Sequence, residues 1–92
     1  MEFQKEPGRI YALGEDGKLL AEITFPTGED GVADIDHTFV DESLRGQGVA
    51  SQLVRAAVAE LRAQGKRAKT SCWYAAQWFE KHPQEQDLLY KE

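Results

Sequence analysis

Cysteine, proline and long apolar runs are scarce in this sequence. The 92 residues include one cysteine and three prolines. A single cysteine cannot form an internal disulfide, which excludes a disulfide-rich secreted scaffold and indicates a reducing, cytoplasmic setting. No apolar run approaches the ~20 residues that a membrane helix needs. The polar start Met1–Glu6 lacks the apolar segment of a signal peptide, so we expect a cytoplasmic protein without a membrane partner.

Positively charged residues are also fewer than negatively charged ones. Lysine and arginine number 11 against 16 aspartates and glutamates, and the formal net charge is −5. A chain with this balance repels polyanions, so nucleic acid is not expected as a partner. Lys66, Arg67 and Lys69 are a local basic cluster, which we interpret as charge that complements a helix C-terminus, the alternative being help in binding a phosphorylated ligand. The two histidines and the cysteine lack the spacing of metal ligands, so no metal site is predicted.

The first half of the chain has the alternating pattern of β-strands. Residues 9–13, 18–25 and 32–40 are predicted as strands, separated by turns that each contain Asp-Gly. The apolar face of the second strand consists of Leu19, Ala21, Ile23 and Phe25. The matching face of the third strand consists of Ala33, Ile35, His37 and Phe39. These patterns predict an antiparallel meander of three strands.

After Val40 the apolar spacing becomes helical. Apolar residues recur at helical intervals from Ala50 to Leu61, and Gly65 follows as a helix C-cap. Residues 67–73 are predicted as a short fourth strand and residues 75–81 as a second helix. The fold class is therefore α/β (α+β), in the order β-β-β-α-β-α, with a mixed, mostly antiparallel sheet, a central crossover helix and a short second helix. The length is that of one domain, residues 1–92.

The loop between the third strand and the main helix is the most informative segment. It reads Arg45, Gly46, Gln47, Gly48, Val49 and Ala50. Backbone amides at a helix start lack internal acceptors, and the helix dipole favours an anion there. The glycines let the backbone approach a phosphate closely, and Arg45 can add charged hydrogen bonds. By itself the Gly-x-Gly pattern also fits a plain strand-to-helix turn, and it is neither a Walker A loop nor a dinucleotide fingerprint.

The same loop resembles the acetyl-CoA signature of the GCN5-related N-acetyltransferases, Gln/Arg-x-x-Gly-x-Gly/Ala. Residues 35–40 before the loop, together with Cys72 and residues 79–83 after it, resemble a minimal branch of that family, the YjdJ-like acetyltransferases. The resemblance extends from about Arg9 to Leu89. It implies one N-acetyltransferase domain that uses acetyl-CoA as cosubstrate and an amine as acceptor.

The resemblance also implies where the cosubstrate binds. The amides of Gly46 through Ala50, with Arg45, would bind the pyrophosphate. The backbone of Phe39 and Val40 would pair with the pantetheine arm. The strand ending at Val40 and the next strand would splay apart around the thioester, and residues 71–74, including Tyr74, would line the other side.

Two side chains are the candidates for catalysis. Cys72 could accept the acetyl group as a nucleophile, protonate the leaving thiolate, or be a small buried residue without a chemical role. Lys69 is the cation nearest to it in sequence. His37 titrates near neutral pH and could orient Cys72 or deprotonate the amine, although a histidine among apolar neighbours is more often structural. For Asp34, Asp36 and Glu42, the alternative to a role as base is a solvated carboxylate.

The sequence leaves three functions open. The first is acetyl transfer to a primary amine, either a protein lysine or a small amine. The second is a CoA-binding sensor or interaction module with little catalysis, since the minimal branch lacks the N-terminal helices that usually complete an acceptor site. The third is a structural domain whose glycine loop is only a turn. A monomer or weak dimer is expected in each case.

Overall fold

A four-stranded antiparallel sheet and a two-stranded parallel sheet form the framework of the structure, a computed structural model that describes residues 2–91. The strands are β1 (Gln4–Glu6), β2 (Arg9–Leu13), β3 (Leu19–Thr24), β4 (Ala33–Ile35), β5 (His37–Val40) and β6 (Ala68–Thr70). The helices are α1 (Val49–Gln64) and α2 (Trp73–Lys81), with 3-10 turns at Glu42–Leu44 and Pro83–Leu88. The larger sheet has the order β1-β2-β3-β5, and β4 pairs with β6.

The hairpin of β2 and β3 confirms the alternating pattern. Ala21, Ile23 and Phe25 are buried on one face, as predicted. Gly17 has a φ of +82°, which the Asp-Gly turn requires. Strand β1 was not predicted, because its residues are polar and exposed, and its pairing with β2 is made by backbone alone.

The third predicted strand is interrupted at Asp36. Strand β4 pairs in parallel with β6, whereas β5 pairs antiparallel with β3, so the chain changes sheets between them. The interruption reverses the alternation, since one extra residue moves every later side chain to the other face. Ala33 and Ile35 are fully buried as expected, but His37 and Phe39 are exposed. The prediction that all four share one apolar face is wrong.

Helix α1 packs across the larger sheet and provides much of the core. Its buried residues are Val49, Leu53, Val54, Ala57, Val58 and Leu61. Gly65 ends the helix with a φ of +69°, and its amide donates to the Arg62 carbonyl at 3.1 Å, as the C-cap prediction requires. Because α1 connects β4 and β5 to β6, it is the crossover that the parallel pair needs.

The C-terminal segment closes the core beside β6. Helix α2 begins at Trp73, two residues before its predicted start, and buries Ala75, Trp78 and Phe79. Leu88 is buried, and Leu89 makes a single parallel bridge to Ala68. Among residues 2–91, no helix is both long and apolar enough to cross a membrane.

Removing a core side chain from α1 tests this packing. Leu53→Ala deletes a fully buried side chain at the centre of the helix face, and should lower the free energy of unfolding by roughly 2–5 kcal/mol. Leu13→Ala makes the same chemical change at a side chain that is 43% exposed. It should lower the free energy of unfolding by less than about 1 kcal/mol. Urea unfolding of both variants measures the difference. Equal losses would contradict the described packing.

Candidate functional site

A surface cavity of about 260 Å³ lies at the N-terminus of α1. Its walls come from the end of β5, the glycine loop, the first turn of α1 and one aromatic ring of α2. The lining residues are Val40, Asp41, Glu42, Leu44, Arg45, Gly46, Gly48, Val49, Ala50, Ser51 and Tyr74. Of the predicted cosubstrate contacts, Phe39 and Gln47 lie outside this lining, and the other seven are brought together.

The backbone of the glycine loop forms part of the wall of this cavity. Gly46 and Gly48 have φ angles of +82° and +70°, a region that side chains with a Cβ rarely adopt. A Cβ added at either glycine would meet no atom within 4 Å, so the space above both is open. Within residues 2–91, the amides of Gly46, Gly48, Val49 and Ala50 donate to no protein acceptor. Such amides at a helix N-terminus form an anion site.

Asp41 holds the turn that leads into the loop. Its carboxylate accepts hydrogen bonds from the Ser43 hydroxyl at 2.6 Å and the Ser43 amide at 3.1 Å. The Lys18 ammonium lies 3.3 Å away. The hydrogen bonds from Ser43, followed by Lys18, lower the pKa of Asp41 from its ordinary value of 3.8. The short 3-10 turn Glu42–Leu44 is therefore capped by a charged group.

Arg45 is available to a ligand. Its guanidinium lies 3.4 Å from the Glu42 carboxylate, and both side chains are largely exposed, at 79% and 85%. An exposed ion pair of this kind contributes little to stability, so Arg45 can readily exchange Glu42 for another anion. Gln47 is exposed too, and its carbonyl accepts a hydrogen bond from the Gln52 side chain at 3.4 Å.

A cleft opens where β5 and β6 separate. Pairing of β4 with β6 ends at Ile35 and Thr70, and the Cys72 amide donates to the Ile35 carbonyl at 3.0 Å. Beyond this point β5 pairs only with β3 among the described residues. The splay expected from the family resemblance is present in the fold.

Thr38 is the side chain of β5 that meets Cys72. Its Oγ1 lies 3.6 Å from Cys72 Sγ, and both residues are partly buried. The pattern-based reading missed Thr38, because it continued the alternation through Asp36 and assigned Thr38 to the polar face. Cys72 itself is the N-cap residue of α2, with its side chain making no cap hydrogen bond. Lys69 does not pair with Cys72, because its ammonium forms an ion pair with the Asp30 carboxylate at 3.1 Å.

His37 lies on the opposite, outer face of the sheet. Neighbouring residues of a strand point to opposite faces, so His37 points away from the face on which Thr38 meets Cys72. The imidazole Nε2 lies 3.3 Å from Glu22 Oε1, and the side chain is 51% exposed. The expectation that His37 orients Cys72 is therefore wrong, while a role toward the acceptor stays a prediction.

The remaining candidates are mostly structural. The Asp34 carboxylate accepts hydrogen bonds from the Ser71 amide and hydroxyl, and Asp36 accepts one from the Thr24 hydroxyl. The aromatic cluster packs as expected for Trp78 and Phe79, whereas Trp73 is 71% exposed. No group of metal-ligating side chains occurs among residues 2–91.

Comparison with known proteins identifies the family. A family model described as GCN5-related N-acetyl-transferase matches residues 9–88. The chain belongs to this family. Its mixed α+β fold is the fold of the GCN5-like relatives with which it superposes.

Individual relatives agree with this assignment. A GCN5-like candidate N-acetyltransferase from Staphylococcus aureus, solved by NMR, superposes with a TM-score of 0.80 and 31% identity, over 99% of this chain and 89% of that one. A candidate acetyltransferase from Pyrococcus furiosus gives a TM-score of 0.62 and 26% identity, over 97% and 62%. The NATD1 proteins of Bos taurus and Homo sapiens are 33% and 32% identical over 57 residues. That alignment spans 62% of this chain but only about half of either NATD1 protein.

The capping carboxylate makes stability depend on pH. The pKa of Asp41 is lowered in the folded protein. Its contribution to the free energy of unfolding is therefore present above pH 3.8 and is lost as the pH falls through the lower native pKa. Asp41→Asn should therefore unfold at lower urea than wild type at neutral pH, and the gap should narrow in acid. Ser43→Ala should act in the same direction, since it removes the hydroxyl donor. A gap that does not change with pH would contradict this account.

Proposed function

We propose that the chain acts as a single domain that moves an acetyl group from acetyl-CoA to a primary amine, either a protein lysine or a small amine. The observation that most supports this is the row of free amides at the open glycine loop, beside the cleft between β5 and β6. The start of α1 thus offers an anion site, and Cys72 at the start of α2 offers a thiol two residues before the cavity-lining Tyr74. Acetyl-CoA has both a pyrophosphate and a thioester to match them.

The pyrophosphate would bind at the start of α1. The amides of Gly46, Gly48, Val49 and Ala50 supply neutral donors at the positive end of the helix dipole, and Arg45 adds a mobile positive charge. A candidate streptothricin acetyltransferase from Bacillus anthracis was solved in complex with acetyl coenzyme A, and it shares this fold with a TM-score of 0.59 at 20% identity. The fold is thus known to hold this cosubstrate in another protein.

The pantetheine arm would lie along β5. One edge of β5 pairs with β3, and its other edge has no strand partner within residues 2–91. Free backbone donors and acceptors on a strand edge are suited to an extended, amide-containing ligand. Phe39 and Val40 would supply these backbone groups, and Tyr74 would pack from α2 across the cavity.

Cys72 and His37 would divide the proton transfers. The amine nitrogen must be neutral to attack, so His37 takes the first proton from the ammonium. As the C–N bond forms, the C–S bond breaks, and the leaving thiolate takes the Cys72 proton. The second proton lost by the nitrogen restores the Cys72 thiol. A net charge of −5 suits a cationic acceptor. A cytoplasmic location and a monomer or weak dimer stay part of the proposal.

Binding of acetyl-CoA should depend on the glycine at the helix start. Gly48→Ala forces a side chain into a left-handed conformation, and its Cβ enters the open space above the loop. We expect calorimetric titration to show acetyl-CoA affinity at least about tenfold weaker, equivalent to about 1.4 kcal/mol. Gly17→Ala is the matched control, since Gly17 also has a positive φ and open space but lies in the β2–β3 turn. Equal affinities for both variants, or no binding by wild type, would contradict the proposed site.

Turnover should depend on Cys72. Cys72→Ala should lower kcat with a primary amine at least about tenfold while leaving acetyl-CoA affinity unchanged. Thr70→Ala, two residues earlier in the sequence, is the control and should keep the wild-type rate. Intact-protein mass spectrometry after incubation with acetyl-CoA alone should find no acetylated Cys72. An acetylated cysteine would replace the proton-donor role with a nucleophilic one, and binding without turnover in wild type would favour a CoA-binding module.

A further inference from the structure

The outer face of the larger sheet has a connected row of charged side chains. Arg9 on β2, Glu22 on β3 and His37 on β5 lie side by side on this face, which α1 does not cover. The Arg9 Nε donates to Glu22 Oε2 at 2.6 Å, and the guanidinium stacks on the Tyr11 ring at 3.8 Å. Glu6 adds a second, longer contact to Arg9 at 3.3 Å.

Glu22 divides its two carboxylate oxygens between two partners. Oε2 binds Arg9, and Oε1 lies 3.3 Å from the His37 Nε2. The Glu22 side chain is only 17% exposed, whereas that of His37 is 51% exposed. The bond to Arg9 therefore fixes the carboxylate, and the carboxylate lies beside one edge of an accessible ring. Within residues 2–91, the other ring nitrogen, Nδ1, has no hydrogen-bond partner.

We propose that Glu22 is a positioning residue for His37, and that the amine acceptor reaches the cleft from this outer face of the sheet. This inference rests on the proposed function. His37 begins β5, two residues after the last β4–β6 pair, and its ring contacts Glu22 on β3. The Thr38–Cys72 pair lies on the other face of the same strand. The Cys72 thiol and the His37 imidazole thus lie toward opposite faces of β5.

The proton balance follows from this arrangement. The neutral imidazole keeps its Nε2–H toward Glu22 and takes the proton of the acceptor ammonium on Nδ1. An N–H bond breaks on the acceptor and an N–H bond forms on the ring. The Glu22 carboxylate faces the resulting imidazolium, and the exposed ring then releases the proton to water. Asp36, the nearest further carboxylate along the chain, is hydrogen-bonded to the Thr24 hydroxyl.

The test compares Glu22→Gln with Glu6→Gln. Both replace a carboxylate that contacts Arg9 by an amide, but only Glu22 also contacts His37. With acetyl-CoA and a panel of a lysine peptide and a small diamine, Glu22→Gln should lower kcat about tenfold at unchanged acetyl-CoA affinity. Glu6→Gln should keep the wild-type kcat. Glu22→Asp, which keeps the charge beside Arg9, should give an intermediate rate and serves as the test if Glu22→Gln does not fold.

Two further measurements separate positioning from a general effect on the fold. His37→Ala should lower kcat roughly a hundredfold, and added imidazole should restore part of the rate. The double variant Glu22→Gln/His37→Ala should be no slower than His37→Ala alone, because Glu22 acts through the ring. Additive losses, an equal loss in Glu6→Gln, or a wild-type rate in His37→Ala would overturn the inference. If wild type transfers no acetyl group at all, the proposed function itself fails, and that result is seen before any variant is compared.

Discussion

The change of sheets at Asp36 is the constraint on which the rest of the structure depends. Before this residue, β4 pairs with β6, and the Ile35 carbonyl accepts a hydrogen bond from the Cys72 amide. After it, β5 pairs with β3. The Asp36 amide donates to the Thr24 carbonyl at 3.2 Å, and its carboxylate accepts from the Thr24 hydroxyl, so the crossing point is itself bonded to β3. Since one strand cannot follow both neighbours, the two sheets separate, and the separation is the cleft.

The loop beside the cleft shows how a small domain keeps backbone groups free. Val49, directly after Gly48, is buried against the core, and the helix behind it buries a full apolar stripe. That packing holds the first turn of α1 in place without any hydrogen bond from the amides of Gly46, Gly48, Val49 and Ala50. Asp41 and Ser43 support the approach to the loop from the other side. The amides can therefore stay unbonded within a well-anchored turn, which is the condition for a preorganised anion site.

The two faces of β5 have different chemical surroundings. The inner face brings Thr38 to Cys72 in a partly buried contact next to α2. The outer face brings His37 to Glu22 in a row of charges open to water. In the proposed reaction this separation matters, because the leaving sulfur and the attacking amine need proton transfers in opposite directions. Groups on opposite sides of one strand can meet these needs without neutralising each other.

Local patterns in the sequence were enough to predict the β2–β3 hairpin, the apolar stripe of α1, its Gly65 cap, the parallel crossover and the glycine loop. All of these except the crossover depend on residues close together in the chain, so periodicity and turn chemistry determine them. The crossover follows from the order of the elements, because a strand, a helix and a following strand favour a parallel pair. The interruption at Asp36 could not be predicted, since it results from competition between β6, more than thirty residues later, and β3. Strand β1, the Thr38–Cys72 contact and the Arg9–Glu22–His37 row also depend on pairing between distant segments. Residue types and spacing thus determined the family and the position of the loop, whereas strand pairing decided which side chains face the cleft.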